Sequence, residues 1–536
     1  MAQSPVIDPH PDQYVRIAEL DAALGIPRVE LAFAESSKMT MEAFRRVHAI
    51  RDQLGTTLIA AFGKTHRCRV RPEDDPGIRA MLATQAPVLT VVGKSGPDEA
   101  ASIRLDRQQN LDIIQSTIAY IRSQFPDVEL IFDGEFFYVQ WQNGRTDDQR
   151  EYALETMRVA KNSGADVLVG CDTNGGCLPQ QVAEATTQLS RVAGNNTMVG
   201  AHCHNDLSLA VANHLAAADN GADHHHLTWG GKAERGGMAG IAQFTDAAYT
   251  AGYSILPEDR HSLLVPTAHK VARVLGYSIA PETPTTGHRA KAHKAGMHTR
   301  AMKQYEHDDP CRFGNHRVVL LSDQAGASTV VEFVNLHPQL SLSVKELLLQ
   351  NDHPQRFRDL LKEDAQRGIS YQEAPESFVL RALRDIDAFQ PHFAVQKTKW
   401  NYDSEVGNGD VTNATVVVNV NGDAPLQEIE MSATGDGPVD AVHNALILAL
   451  QERYPSVKGL KLDDYHVRKI TGGDFGAVVE VVCFFKDEDG VEFSTMGSST
   501  NIITASELAL MDGFYFQRLR QKMALDSSST EQLAEI

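Results

Sequence analysis

The sequence predicts an α/β protein whose first half is a TIM (β/α)8-type barrel, followed by a helical linker region and an α+β C-terminal domain. Three observations predict it. Short apolar runs alternate with amphipathic helical patterns over about 250 residues, a rhythm that builds a parallel sheet with right-handed crossovers. Polar residues gather at the C-terminal ends of those runs, where such barrels carry their active sites. One run, VGAHCHNDLSLAVAN (Val199–Asn213), ends in His202 and His204, whose spacing of two puts both imidazoles on one face of a strand.

The elements follow in order. YVRIAELDAALG (14–25) reads as a helix closed by a glycine cap. RVELAF (28–33) is a buried strand, and MTMEAFRRVHAIRDQLG is the helix after it. TTLIAAFG is a strand, KTHRCRVRPEDDPG a basic loop, and GIRAMLATQ a helix. Strand VLTVVG (88–93) leads to helix DRQQNLDIIQSTIAYIRSQF, and strand VELIFDGEFF to helix DQREYALETMRVAKNSG. Strand ADVLVGCDTNGG, helix LPQQVAEATTQLSRVAG, the VGAHCHND strand with its small-residue helix, and strand HHHLTWGG complete the series. That makes seven strands, whereas a closed barrel needs eight. The missing strand belongs before helix 14–25, where only Val6-Ile7-Asp8 resembles a remnant.

Past residue 260 the pattern changes. LVPTAHKVARVLG is a helix and APETPTTG a linker, followed by the histidine-dense segment 288–317 and more helices to about 390. TKWNYDSEVGNGD (398–410) reads as a second linker. From Asn413 alternation returns (ATVVVNVNG), then helix PVDAVHNALILALQERY, strands DYHVRKI and GAVVEVVCFF, and a final mixed stretch. The expected domains are a barrel over 1–260, helical linker subdomains over 261–400, a regulatory or dimerisation domain over 401–525, and a disordered polar tail over 526–536.

Composition narrows the function. The 536 residues are 42% hydrophobic and 22% charged, with formal net charge −20. A negative balance disfavours nucleic acid or an anionic membrane as partner. The six cysteines are scattered without a CxxC pair, which fits a reducing cytoplasm. No secretory leader is read at the N-terminus, and no apolar window is long enough to span a bilayer.

The histidine pair leaves two readings open: a divalent-metal site at a barrel mouth, or one imidazole satisfying a backbone group and one in solvent. FGKTHR, VVGKS, FDGEFF, CDTNGG, AHCHND, AHKAGMH, YEHDDP, GDGPVDA and STNIITAS surround it in a definite order. In that order the chain resembles the citramalate synthase branch of the isopropylmalate synthase-like (DRE-TIM metallolyase) family, from about residue 13 to 522. The resemblance implies condensation of acetyl-CoA with an α-keto acid, pyruvate giving citramalate, in branched-chain amino-acid biosynthesis. It also implies a divalent metal (Mg²⁺, Mn²⁺ or Zn²⁺), a branched-chain amino-acid effector and a homodimer. By motif position, His202 and His204 would bind the metal, Glu135 would serve the acetyl-CoA site, and Thr173 would contact the keto-acid carboxylate. His298 would be the base and Tyr305 its activator, with Arg235 at the substrate. Gly435, Asp436 and Gly437, and Ser499 and Asn501, would line the effector loops. Plain alternatives stand beside these: Glu135 as a carboxylate paired with a lysine, Thr173 as a turn hydroxyl, the glycine loops as turns and helix caps. Basic Lys94, Lys64 and Arg67 are candidates for CoA phosphates or for salt bridges.

The chain departs from the family twice. The Asp-Thr-Thr-Leu-Arg-Asp-Gly motif, with an enolate-stabilising Arg and a metal-binding Asp, would fall at or before Met1. The Asn of the last-strand motif is replaced by Gly230, although Glu234 and Arg235 are kept. An upstream start or a diverged paralogue would explain the first departure, and divergence the second. The alternatives to citramalate synthesis are a weakened or inactive paralogue acting as a binding and regulatory partner, a 2-isopropylmalate synthase, and a barrel lyase or aldolase. The C-terminal domain disfavours the last.

Overall fold

The computed structural model describes residues 4, 7–294, 296–403, 411–420, 427–471 and 478–531. They form two compact units, residues 1–291 with 308–316, and residues 292–307 with 317–536.

The first unit is built on β1 (Arg28–Phe33), β2 (Leu58–Lys64), β3 (Val88–Lys94), β4 (Glu129–Glu135), β5 (Val167–Asp172), β6 (Met198–Cys203) and β7 (His224–His225). All pair in parallel and in sequence order. The helices are α1 (Pro11–Leu24), α2 (Lys38–Ala49), α3 (Pro76–Ala83), α4 (Pro97–Ser102), α5 (Arg107–Gln124), α6 (Asp147–Asn162), α7 (Pro179–Ala193), α8 (Ala210–Ala218), α9 (Ile241–Thr250) and α10 (Leu264–Leu275). The seven predicted strands are all present. Among the described residues there is no eighth: Ile7 and Asp8 belong to no strand, Val6 lies outside the described residues, and β1 and β7 are the two edges of the described sheet.

Strand alternation separates two apolar layers. Ile59, Leu89, Leu130, Phe132, Leu168 and Val199 pack outward with the helices. Ala60, Val88, Ile131, Val167, Val169 and Cys171 form a small cluster on the inner face. Inward-facing Glu30 on edge strand β1 is exposed. Around β7, Trp229 packs with Ile17, Leu20 and Leu24 of α1 and with Leu264, Val271 and Leu275 of α10. Gly25 ends α1 in a left-handed turn (φ 87°), the conformation that a glycine cap supplies.

The second unit opens with β8 (Ala292–His293), α11 (Gly296–Arg300), α12 (Met302–Tyr305) and β9 (Val318–Val319). Helices α13 (Ala327–Leu336), α14 (Leu342–Leu349), α15 (His353–Gln366) and α16 (Pro375–Asp385) follow. Two βββα blocks complete it: β10 (Phe393–Asp403), β11 (Val411–Val420), β12 (Gln427–Gly435) and α17 (Pro438–Leu450), then β13 (Lys461–Thr471), β14 (Val478–Lys486), β15 (Glu492–Ser499) and α18 (Ile502–Glu531). Both sheets are antiparallel. One continuous core joins α13, α15 and α16 to these blocks. Two sequence expectations change here. Thr398–Asp403 continue β10, paired with Val411–Val416, because Trp400 and Tyr402 favour strand over linker. Helix α18 runs through Glu531, so much of the polar segment read as a tail is helical; residues 532–536 lie outside the described set.

Candidate active site at the C-terminal ends of the strands

Period-two alternation sends Lys94, Glu135, His202 and their i−2 neighbours toward the inner face, at the ends where a parallel barrel does its chemistry. Lys94 and Glu135 are direct cross-strand partners on β3 and β4. The Lys94 ammonium donates to Glu135 Oε2 at 2.5 Å and lies 5.2 Å from the Phe136 ring centre. Both predicted roles therefore fall on one ion pair. Phe136 takes left-handed backbone (φ 67°), a costly state for an aromatic residue. Its N–H donates to Thr173 Oγ1 at 2.8 Å. Thr173's oxygen is thus partly engaged by backbone, while its own proton stays available for donation.

Arg235 is a strut. Its Nε and Nη2 donate to Asp206 at 2.9 and 3.2 Å, and Nη2 also donates to the Thr173 carbonyl at 2.8 Å. It ties the loops after β5, β6 and β7 together, and its charge holds the Asp206 carboxyl below the usual carboxylate range. Of the other basic candidates, Arg67 is bound to Glu35 and Asp75, and Lys64 sits 5.9 Å from the Phe33 ring centre.

The histidines form a chain of rings. His202 Nε2 is 3.4 Å from His204 Nε2, and His202 Nδ1 is 3.1 Å from His226 Nδ1. His226 Nδ1 lies 3.7 Å from Asp133 Oδ2. Burial pushes His202 well below the ordinary imidazole value and His226 down to about 4, so these rings are neutral at pH 7 and offer lone pairs. Burial also pushes the Asp133 carboxyl well up, helped by Glu30 and Glu135. His214 and His225 make a separate pair, Nδ1 to Nδ1 at 3.1 Å beside Phe244.

A divalent ion fits His202 and His204 as two neighbouring arms. Their Nε2 atoms, 3.4 Å apart, stand about as far apart as two ligands of one ion do, roughly 3.3 Å; His204 Nδ1, the other nitrogen of that ring, is buried without a hydrogen-bond partner. The further donors near His202 are Asp133 and Cys171, each with one donor atom within 4.8 Å of the others and of His202. The motif reading missed both, and His226. The signal was present: Asp133 precedes Glu135, and Cys171 precedes Thr173, by two residues, one layer deeper on the same strand face.

At position 230, where the family motif has Asn, the backbone is left-handed (φ 59°), and a Cβ would come within 2.8 Å of the Tyr277 hydroxyl. Tyr277 fills the space that a side chain there would need.

In the second unit, His298 and Tyr305 are brought together, ring centres 4.1 Å apart and planes at 27°. Asp436 N–H donates to Asp440 Oδ2 at 3.2 Å, and Gly437 is the residue before α17. Ser499 Oγ accepts from Asn501 N–H and Asn501 Oδ1 from Ile503 N–H, at 3.2 and 2.9 Å. Both loops carry turn and helix-start bonding.

Two family models match this chain, HMGL-like over residues 4–271 and the LeuA allosteric (dimerisation) domain over residues 380–516. The chain is 32% identical over 520 residues to an (R)-citramalate synthase of Sulfolobus acidocaldarius, covering 95% of this chain and 93% of that protein. It is 30% identical over 528 residues to an (R)-citramalate synthase of Aquifex aeolicus, covering 95% and 94%. A probable 2-isopropylmalate synthase of Methanopyrus kandleri is 28% identical over 515 residues, covering 95% of each chain. With an HMGL-like parallel sheet carrying the paired histidines and a LeuA domain following it in sequence, the chain belongs to the citramalate synthase branch of the isopropylmalate synthase-like, DRE-TIM metallolyase family.

Proposed function

We propose that this chain is an acyltransferase condensing acetyl-CoA with an α-keto acid, pyruvate giving citramalate, in branched-chain amino-acid biosynthesis. The observation that carries it is the likeness to (R)-citramalate synthases across both units, joined to the Lys94–Glu135 pair and the His202–His204 pair at the C-terminal ends of the same parallel sheet. The condensation needs a proton removed from the acetyl methyl group, attack of that carbon on the keto carbonyl, and hydrolysis of the thioester. His202 and His204 would hold a divalent ion, which would supply Lewis-acid polarisation of the keto carbonyl. Thr173, its oxygen occupied by Phe136 N–H, turns its hydroxyl proton to the keto-acid carboxylate. Arg235 holds the Thr173 carbonyl and so positions that hydroxyl. Glu135, its charge offset by Lys94, serves the acetyl-CoA side. By the family resemblance His298, stacked on Tyr305, would take the methyl proton in the active site of a partner subunit. The LeuA domain makes the chain an oligomer, with a homodimer and a branched-chain amino-acid effector as the finer reading.

One observation favours a second reading, a non-catalytic homologue regulating a partner: Gly230 stands where the motif has a metal-completing Asn, and Tyr277 fills its space. Thiol release from acetyl-CoA decides between them, assayed with pyruvate, 2-oxobutyrate and 2-oxoisovalerate and with Mg²⁺ or Mn²⁺ added. Turnover with pyruvate is expected. Preference for 2-oxoisovalerate would mean isopropylmalate synthesis, and no turnover with any of the three would sink the enzyme reading.

A further inference from the structure

We propose that Gln140 is a positioning residue of this site: it pins Phe136 in its left-handed conformation, and Phe136 in turn aims the Thr173 hydroxyl and the Lys94 ammonium. This rests on the reading that Thr173 meets the keto-acid carboxylate and the Lys94–Glu135 pair serves the acetyl-CoA side, and it adds the residue that keeps the two aligned.

The placement begins at the end of β4, where Glu135 is the last strand residue. The chain leaves the strand through Phe136 at φ 67°, a conformation that an aromatic residue holds only when its surroundings impose it. Both peptide groups flanking its Cα are tied. The N–H on one side donates to Thr173 Oγ1 at 2.8 Å. The C=O on the other side accepts from Gln140 Nε2 at 3.1 Å. Together the two bonds fix φ and ψ, and the ring then stands 5.2 Å from the Lys94 ammonium. One residue thus bears on both substrate sides.

Gln140 ends up there through the short 3-10 turn Tyr138–Trp141, and it is 0% exposed. Chemistry settles which end of its amide faces Phe136. The Phe136 carbonyl and Glu99 Oε2, 3.4 Å away, are both acceptors, so the NH₂ must face them. Its own Oε1 is buried without a hydrogen-bond partner, a cost that an apolar side chain of similar size would not incur. The amide is therefore explained by its donor and not by packing. Glu99 is held in turn by Arg145, whose Nη2 donates to Oε1 at 2.8 Å.

Michaelis constants test this, because KM does not depend on the fraction of enzyme that is folded. Gln140→Leu frees the Phe136 carbonyl and should raise KM for pyruvate roughly 5-fold or more. Phe136→Gly keeps the N–H but removes the ring, so it should raise KM for acetyl-CoA as well. In the double variant the pyruvate shift should not exceed the larger single one. Gln140→Glu supplies a pH signature. The charged groups around position 140 are Glu99, Arg145 and Arg150, and the new carboxylate faces two acceptors. Its pyruvate KM should approach the parent's as pH falls and the carboxyl gains a proton to donate to the Phe136 carbonyl. Pyruvate KM within twofold of the parent in both single variants, shifts that multiply in the double variant, or a Gln140→Glu profile parallel to the parent's overturns the proposal. Calorimetric titration of pyruvate with Mg²⁺ present separates it from the acyl-transfer reading. Weaker binding in Gln140→Leu, from a parent that binds pyruvate but releases no thiol, leaves the positioning role standing and defeats acyl transfer. Condensation with pyruvate KM unmoved in both single variants does the reverse, and a parent that binds no pyruvate overturns both.

Discussion

Lys94 and Glu135 neutralise each other across two strands with about three-quarters of each side chain out of solvent. Such a pair contributes about 1 kcal/mol or less to stability, so a role in chemistry and a role in folding separate cleanly. Glu135→Gln should lower kcat/KM by roughly 10²-fold or more while the melting temperature barely moves; an activity loss that merely tracks unfolding would demote Glu135 to a structural group. Gly230 gives the opposite kind of prediction. A Cβ there meets the Tyr277 hydroxyl at 2.8 Å, so Gly230→Asn should destabilise by about 1–3 kcal/mol. Tyr277→Phe in the same chain should return part of that loss, and a double-mutant cycle showing no coupling would contradict the packing argument.

At the scale of elements, the seven strands were legible because buried parallel strands read as short apolar runs between helical patterns. The site was legible one layer deep. Glu135, Thr173, His202 and His204 stand in recognisable motifs, whereas Asp133 and Cys171 become visible only when strand alternation is followed two residues back. His226 was hidden inside a triple-histidine strand, where nothing in the spacing says which ring turns inward. Thr398–Asp403 misled because Asn, Asp and Gly crowd the residues just after them. Contacts between distant elements were not legible at all. Trp229, after β7, donates from its indole to Asp21 of α1 at 2.7 Å. Burial raises the Asp21 carboxyl from 3.8 to about 7. Between those values the folded protein holds a proton that the unfolded chain has released, so this group makes stability fall as pH rises from about 4 to about 7. Asp21→Asn keeps an acceptor for the indole and removes the slope. It should match the parent near pH 4 and exceed it by about 2–4 kcal/mol above pH 7 in chemical denaturation.

At the scale of the whole molecule, two units with separate hydrophobic cores should give two calorimetric transitions. An effector bound in the LeuA domain at about 100 times its dissociation constant adds about 2.7 kcal/mol to what it binds. Leucine, isoleucine or valine should therefore raise one transition and leave the other in place; movement of both, or of neither, would count against an effector site confined to the second unit. The open sheet carries a consequence of another kind. Strands β3, β4 and β5 are each hydrogen-bonded on both sides, while β7 is two residues long and pairs, among the described residues, only with β6. Backbone amides of the central strands should exchange with solvent last and those of β7 first. The rings of His202 and His226 thus straddle a gradient of local opening, with Asp133 and Cys171 at its slow end. Sub-global fluctuation of one short edge strand can loosen one wall of the site while the other stays fixed.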